Sequence, residues 1–143
     1  ILAACELGKR RAMEKAQERT SIDSSKAIYE YLHPRMQDLD VEEAWIMLLN
    51  QHYKLIKAMA ISHGGITETA VDVRVILKEA LLCNATVLVL AHNHPSNHIQ
   101  PSKPDDQLTQ RVKKACEAVR IHFLDHVIVT DGTYYSYHDS GRL

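Results

Sequence analysis

The sequence predicts an α/β fold in which a mixed β-sheet is flanked by helices. Three observations support this class: 45% hydrophobic and 24% charged residues in 143, apolar runs of strand length, and helical stripes between those runs. In the first run, residues 42–49, apolar side chains occupy both alternating sets of positions. Such a run is typical of a strand that is covered on both faces.

Two helices are predicted ahead of the sheet. In residues 2–19, many charged side chains leave only a thin apolar stripe, so the packing partner of this helix is expected to lie outside the chain. A second helix begins after Ser24 or Ser25, either of which can cap it, and runs to Leu32. The His-Pro pair at 33–34 is expected to end it, because proline disfavours a helical conformation in the preceding residue.

The sheet is predicted to begin with an antiparallel hairpin. Its strands are residues 42–49 and 53–61, joined by a turn at Asn50 and Gln51. The clearest helix follows at residues 72–82, where apolar side chains recur at helical spacing.

The second half of the chain continues this alternation. It is predicted to contain a core strand at 85–91, a proline-rich loop at 92–104, a helix at 103–119, and strands at 122–129 and 134–137 joined by Asp131-Gly132. The helices at 72–82 and 103–119 can cover the sheet that these strands form.

Composition excludes some classes of protein. The formal net charge is -1 and the pI about 6.8, so no excess of either sign indicates nucleic acid or a membrane surface as partner. No apolar run approaches the roughly 20 residues that a spanning helix needs. Cys5, Cys83 and Cys116 form an odd set among apolar neighbours, which favours buried free thiols and hence the cytoplasm.

The most informative stretch is His92-Asn93-His94-Pro95. If the strand continues to His94, its period of two places both histidines on one face, where they can chelate one ion. Asp105 follows 11 positions after His94, at the start of the next helix, and the loop between them can fold back to supply a third ligand. Two imidazoles, one carboxylate and an open fourth position are typical of catalytic zinc sites.

Each part of this pattern also has an ordinary structural interpretation. A pair of histidines near a strand end is often only a pair of satisfied side chains. Ser102 and Asp105, three residues apart, are by themselves a helix cap with a carboxylate in the first turn. The strand, the two histidines, the proline-held loop and the aspartate together favour a metal site.

The same residues resemble a known family. His92-x-His94-Pro95 with Ser102-x-x-Asp105 is similar to the JAMM motif of JAB/MPN metalloproteases. The HNHPS run, PS-x-x-D and Leu124-Asp125-His126 resemble the RadC-like bacterial branch of that family. This resemblance covers roughly residues 39–143 and implies a JAB/MPN fold of the cytidine deaminase-like type.

The resemblance also implies roles for individual residues. His92, His94 and Asp105 stand at the metal-ligand positions, Ser102 at the serine that assists the tetrahedral intermediate, and Glu42 at the glutamate general base. The implied activity is hydrolysis of peptide or isopeptide bonds by a metal-activated water. One zinc ion per domain is expected, although iron and manganese accept the same donor set.

Positions near the motif differ from the family or have two interpretations. Asn97 stands after Ser96 where the family usually has glycine, and asparagine tolerates the left-handed conformation that such a turn needs. Ser96, Asn97 and His98 lie in the loop that is expected to face the substrate. His126 either makes a structural hydrogen bond or orients a metal ligand from behind.

Domain organisation and partners follow from the same comparison. Residues 1–38 are expected to be a helical lead-in, and 39–143 the JAB/MPN-like metallohydrolase domain. Because the chain begins at Ile1, and because residues 3–10 resemble the tail of a helical domain, such a domain is expected to precede it in the full-length chain. The expected partner is a peptide or protein substrate. No membrane is expected, and nucleic acid is disfavoured for the isolated domain, although a DNA-repair-associated module is the rival interpretation.

Overall fold

A computed structural model describes Cys5, residues 19–65 and residues 70–143, which form one five-stranded sheet with three helices. The helices are α1 (Ser25–Met36), α2 (Val73–Leu82) and α3 (Lys103–Ala118). The strands are β1 (Glu43–Leu49), β2 (Leu55–His63), β3 (Val87–Asn93), β4 (His122–Val129) and β5 (Tyr134–Ser136). The predicted α/β class is confirmed. Apart from Cys5 and Arg19, the predicted helix at 2–19 lies outside the described residues.

The sheet topology brings the amino end of β1 beside the carboxyl ends of β3 and β4. The strand order is β2-β1-β3-β4-β5, with β3 and β4 parallel and the other pairs antiparallel. His92 therefore pairs with Ala44 on one side and with Ile128 on the other. This edge of the sheet is where the candidate site forms.

The sheet has a hydrophobic core on each face. On one face, Ile46 and Leu48 of β1 join Leu88 and Leu90 of β3 beneath α2 and α3. On the opposite face, alternate residues of the same strands pack with buried side chains of α1. Because β1 and β3 are apolar at both sets of positions, both faces can be covered. Burial of both faces explains why the apolar runs of β1 and β3 do not alternate with polar residues.

The predicted end of α1 is wrong, because the helix passes through Pro34 and ends at Met36. Proline lacks an N–H and cannot bond the carbonyl four residues earlier. That loss falls in the last turn, where Gln37 N–H still donates to the His33 carbonyl at 2.9 Å. Met36 is buried in the second core, and its burial favours continuing the helix.

The second strand of the hairpin begins two residues later than predicted, at Leu55. The Asn50 side chain accepts hydrogen bonds from the backbone N–H groups of His52 and Lys54 and so extends the turn. Tyr53 has a φ of +58°, and its carbonyl accepts from Ile22 instead of from β1. Side-chain bonding in the turn thus displaces the start of the strand.

Strand β3 also lies two residues beyond its predicted position. The structure places His92 and Asn93 within the strand, because their backbones continue the pairing with β4. The N–H of His94 still donates to the Val129 carbonyl at 3.0 Å. The predicted loop therefore begins after Asn93, and the histidines start from a rigid strand end.

The three cysteines are free, as predicted. Cys116 is buried and Cys83 partly buried, but Cys5 is exposed, so the expected burial is wrong for that residue. Helix α1 shares a core with the sheet. The predicted division of the chain at residues 38 and 39 stays a prediction.

Candidate metal centre

His92 and His94 sit at the carboxyl end of β3. All seven residues of this strand are buried, and none of the His92 side chain is exposed. His94 lies just beyond the strand and is 10% exposed at its side chain, which leaves one opening toward solvent. Strand pairing thus fixes the backbone of His92, and the hydrogen bond to the Val129 carbonyl holds the backbone of His94 just beyond the strand.

Donor atoms of three residues converge at this strand end. The Nε2 atoms of His92 and His94 are 2.9 Å apart, and they lie 3.3 and 3.4 Å from the two carboxylate oxygens of Asp105. Of the residues that the structure describes, these three are the only group of His, Cys, Asp and Glu with ligand atoms close enough to hold a metal ion. The convergence that the sequence suggested is present in the fold.

Two of these three distances fit the spacing of ligands around a metal ion, and the third, 2.9 Å between the two Nε2 atoms, is shorter than that spacing. Donors that bind zinc tetrahedrally at about 2.0–2.1 Å lie about 3.3–3.4 Å from one another. The two distances to Asp105 match this spacing. The carbonyl oxygen of His98, 2.5 Å from Nδ1 of His94, can only accept, so Nδ1 donates to it and, in the neutral imidazole, Nε2 keeps its lone pair for an ion.

Asp105 enters the site from the first turn of α3. Its backbone N–H donates to the Ser102 hydroxyl at 3.2 Å, and its carboxylate accepts from the Ser102 N–H at 2.8 Å, which is a complete capping box. The capping interpretation of Ser102 and Asp105 is therefore right, and it coexists with the approach to the histidines. Capping aims the carboxylate and limits its rotation.

The electrostatics favour an ionised Asp105. Burial raises the pKa of this carboxyl, but its contacts with the imidazoles of His92 and His94 outweigh burial and hold the pKa well below its usual range. Burial lowers the pKa of His94, but its contacts with Asp105 and with the His98 carbonyl raise it overall. A nearby negative charge on Glu42 adds to this rise. The site therefore attracts positive charge.

Glu42 immediately precedes β1, and the alternation of the strand, extended back by one residue, assigns it to the face of His92. Ala44 and Ile46 follow it at alternating positions and pack in the core beneath α2 and α3. Ala44 is also the strand partner of His92. Glu42 is half-buried, and its negative charge is close enough to His94 to raise the pKa of that histidine.

Glu43, one position later, points to the other side. Its carboxylate accepts from the Trp45 indole N–H at 3.1 Å and contacts Nδ1 of His63 at 2.6 Å. Trp45 packs with the second core. Strand alternation therefore separates the two glutamates and favours Glu42 over Glu43 as the residue at the family's glutamate position.

The loop after β3 is tied back to the sheet. Asn97 has a φ of +62°, the left-handed conformation expected where the family usually has glycine. Its side chain accepts from the Asp131 N–H at 3.0 Å, and its own N–H donates to the His94 carbonyl. Ser96 and His98 are exposed on this loop. A cavity of about 120 Å³ beside His94 is lined in part by Asn97 and Asp131.

His126 is fully buried behind His92. Its Nε2 lies 2.8 Å from Nδ1 of His92, and its Nδ1 lies 2.6 Å from the Thr109 hydroxyl. The Tyr137 ring stacks on it at 4.9 Å with an interplanar angle of 4°. Burial and the neighbouring His92 hold the pKa of His126 well below its usual value. The structure thus brings His126 against a candidate ligand.

Thr109 and Tyr137, which both contact His126, were not predicted from the sequence to belong to the site. Thr109 stands four residues after Asp105 in α3, and this spacing places both residues on one helix face. That spacing was the sequence signal that could have indicated Thr109. Tyr137 offers no comparable local signal, because its contact with His126 arises from folding of the C-terminal segment. Other histidines have separate partners: His33 pairs with Asp131 and His138 with Asp139.

Comparison with known proteins identifies the family. A family model described as a RadC-like JAB domain matches residues 22–142. The chain belongs to this family. The predicted resemblance to the RadC-like branch of the JAB/MPN proteins is confirmed, and the five-stranded mixed sheet with its helices is consistent with a JAB/MPN domain.

Relatives of this RadC-like JAB domain are longer proteins. UPF0758 proteins of Porphyromonas gingivalis and Flavobacterium johnsoniae are each 42% identical over 100% and 99% of this chain, which covers 63% and 62% of their lengths. A UPF0758 protein of Symbiobacterium thermophilum is 36% identical, with 61% of its length covered. The chain therefore spans less than two thirds of these relatives.

The described residues of this RadC-like JAB domain contain no helix that is both long and apolar enough to cross a membrane. Arg74, at the start of α2, forms an ion pair with Asp72 at 2.8 Å. Lys103, within the motif itself, is exposed at the start of α3.

Proposed function

We propose that this RadC-like JAB domain is a metal-dependent hydrolase of peptide or isopeptide bonds. The observation that carries the proposal is the convergence of His92, His94 and Asp105, whose donor atoms all lie within 4.8 Å of one another. Two imidazoles and one carboxylate leave a coordination position open, as in catalytic zinc sites. The opening beside His94 gives that position access to substrate.

Zinc is the proposed ion, and iron or manganese are alternatives with the same donor preferences. His92 and His94 would hold it through Nε2, and Asp105 through its carboxylate. When bound there, the ion would supply Lewis-acid chemistry: it would lower the pKa of a water molecule to about 7 and polarise a carbonyl oxygen.

Glu42 is the proposed general base. Its carboxylate takes a proton from the attacking water and passes it to the nitrogen of the leaving amine. Its place on the His92 face and its electrostatic effect on His94 support this role. The partners of Glu43 on the opposite face argue against that residue as the base.

Ser102 is proposed to steady the oxyanion of the tetrahedral intermediate. Its oxygen accepts from the Asp105 N–H, so its hydroxyl proton is available to donate elsewhere. A donor aimed at developing negative charge is worth several kcal/mol in water-excluded sites. Ser96 and Asn97, on the loop next to the histidines, are proposed to contact the substrate chain.

Hydrolysis of a phosphodiester is less well supported. Such chemistry often uses two metal ions about 3.5–4 Å apart and basic groups that bind phosphate. The described residues contain one group of three ligands, and the side chain of Arg74 is already paired with Asp72. A water, a base and an oxyanion donor suit an amide bond.

The test combines metal analysis with a substrate search. Purified protein is stripped with chelator, reloaded separately with Zn²⁺, Fe²⁺ or Mn²⁺, and incubated with a library of peptides and isopeptide-linked peptides. We expect about one ion per chain, cleavage only after reloading, and loss of both in His94→Ala. The proposal is overturned if reloaded protein cleaves no member of the library, or if cleavage persists in His94→Ala.

A further inference from the structure

A hydrogen-bonded circuit connects two of the candidate ligands through the protein interior. From Nδ1 of His92 it passes 2.8 Å to His126 Nε2, and from His126 Nδ1 2.6 Å to the Thr109 hydroxyl. From that hydroxyl it passes 2.8 Å to the backbone carbonyl of Asp105. The circuit therefore joins β3, β4 and α3 behind the site.

The proton positions along this circuit follow from its last member. A carbonyl oxygen can only accept, so the Thr109 hydroxyl donates to Asp105. The hydroxyl of Thr109 has one proton, and it is used in the hydrogen bond to Asp105. The contact with His126 is therefore a hydrogen bond only if Nδ1 of His126 donates to the Thr109 oxygen. A neutral His126 that donates from Nδ1 must accept at Nε2. His92 therefore donates from Nδ1.

The neutral state of His126 follows from its surroundings. It has no exposed surface, and its two nitrogens face a threonine hydroxyl and another imidazole, neither of which carries a negative charge. Burying an imidazolium without an acidic partner is strongly unfavourable. Tyr137 covers the ring by stacking, and its hydroxyl donates to Asp106 at 2.7 Å, which keeps this cover in place.

We infer that His126 and Thr109 are positioning residues that hold His92 in the tautomer with its proton on Nδ1. In that tautomer the lone pair on Nε2 faces His94 and Asp105, where an ion would bind. In the other tautomer Nε2 carries a proton and cannot be a ligand. A threonine and a histidine thus take the role that a carboxylate or a carbonyl usually has behind a metal-binding histidine.

This inference rests on the metal site of the proposed function but not on peptide cleavage. Removing the hydroxyl by Thr109→Val leaves Nδ1 of His126 without an acceptor. The proton of His126 then moves to Nε2, and His92 must accept at Nδ1 and carry its own proton on Nε2. Thr109→Ser keeps the hydroxyl and is the matched control.

The experiment measures tautomers and metal affinity in the full 143-residue chain. Long-range ¹H–¹⁵N correlation spectra of the metal-free protein report which nitrogen of each histidine is protonated. Affinity for Zn²⁺ comes from chelator competition, and the absorption spectrum of bound Co²⁺ reports ligand geometry. We expect protons on Nδ1 of His92 and His126 in the unsubstituted protein. Thr109→Val should weaken Zn²⁺ binding by about 10- to 100-fold, the usual effect of losing such a partner, and alter the Co²⁺ spectrum.

Several results would overturn the inference. They are a proton on Nε2 of His92 in the unsubstituted protein, unchanged affinity in Thr109→Val, and equal losses in Thr109→Val and Thr109→Ser. The tautomer measurement needs no substitution and remains decisive if Thr109→Val does not fold. Normal metal binding with no cleavage of any peptide would overturn the proposed function alone and leave this inference standing.

Discussion

Ser102 and Asp105 bind each other at the start of α3, and the Asp105 carboxylate also faces the two candidate metal-binding histidines. The Asp105 carboxylate accepts from the Ser102 N–H at 2.8 Å and lies 3.3 and 3.4 Å from Nε2 of His92 and His94. One side chain thus caps a helix and completes the candidate site. Because capping restricts the carboxylate, helix stability and site geometry are coupled.

This coupling can be tested with two serine caps. Ser102→Ala should lower the free energy of unfolding of the metal-free protein by about 0.5–2 kcal/mol, since a cap is lost. It should also lower turnover of the metal-loaded protein by about 10²- to 10³-fold if the hydroxyl steadies an oxyanion. Urea unfolding and peptide hydrolysis are the two measurements.

Ser24→Ala is the matched control. Ser24 caps α1 by accepting from the Ala27 N–H at 3.1 Å and is not among the residues of the candidate site. Its loss should lower stability by a similar amount and leave turnover unchanged. Full turnover in Ser102→Ala would exclude the oxyanion role.

The two neighbouring glutamates should respond differently to the same substitution. Glu42→Gln should retain metal and lose about 10²- to 10⁴-fold in turnover, the range contributed by a general acid-base group. Glu43→Gln should change turnover little, because Glu43 bonds Trp45 and His63 away from the site. Metal content and hydrolysis are measured for both. Equal losses would mean that the assignment of Glu42 as the base is wrong.

Metal affinity should depend on pH through His94. Its contacts with Asp105 and the His98 carbonyl outweigh burial and raise its pKa above the ordinary value of 6.5 in the metal-free protein. A protonated imidazole cannot bind metal, so affinity should be full above this raised pKa and should fall as the pH drops through it.

Calorimetry provides the measurement. Zn²⁺ titrations from pH 6 to 8, each in two buffers with different ionisation enthalpies, give both the affinity and the protons released. We expect affinity to rise across this range and protons to be released at its acidic end. An affinity independent of pH, without proton release, would show that His94 is not a ligand.

The DNA-associated alternative has its own test. The net charge of -1, and the pairing of Arg74 with Asp72, lead us to expect weak and salt-sensitive DNA binding at most, with no cleavage by metal-loaded protein. Plasmid nicking and fluorescence anisotropy at two salt concentrations measure both. If the protein cut DNA, His94→Ala abolished the cutting, and no peptide substrate existed, the proteolytic proposal would be abandoned.

Local patterns predicted most of the fold and the core of the candidate site. Strands with apolar residues at both positions and helices with apolar stripes depend on periodicity, which is visible in one sequence. The exceptions have local causes that periodicity does not report. Pro34 is tolerated because it lies in the last turn of α1, and Asn50 extends a turn through its side chain.

The sequence by itself determined the candidate ligands, because His92 and His94 stand two positions apart on a strand and Asp105 begins a helix. The resemblance assigned Glu42 to the site, but only the tertiary structure decided that the carboxylate of Glu43 turns away from the ligands and that His126 and Thr109 lie behind His92. Glu42 and Glu43 differ by one step of strand alternation, whose direction depends on the pairing with β3. The contacts of His126 with His92 and Thr109 join separate elements, and such contacts arise from packing between segments far apart in the chain.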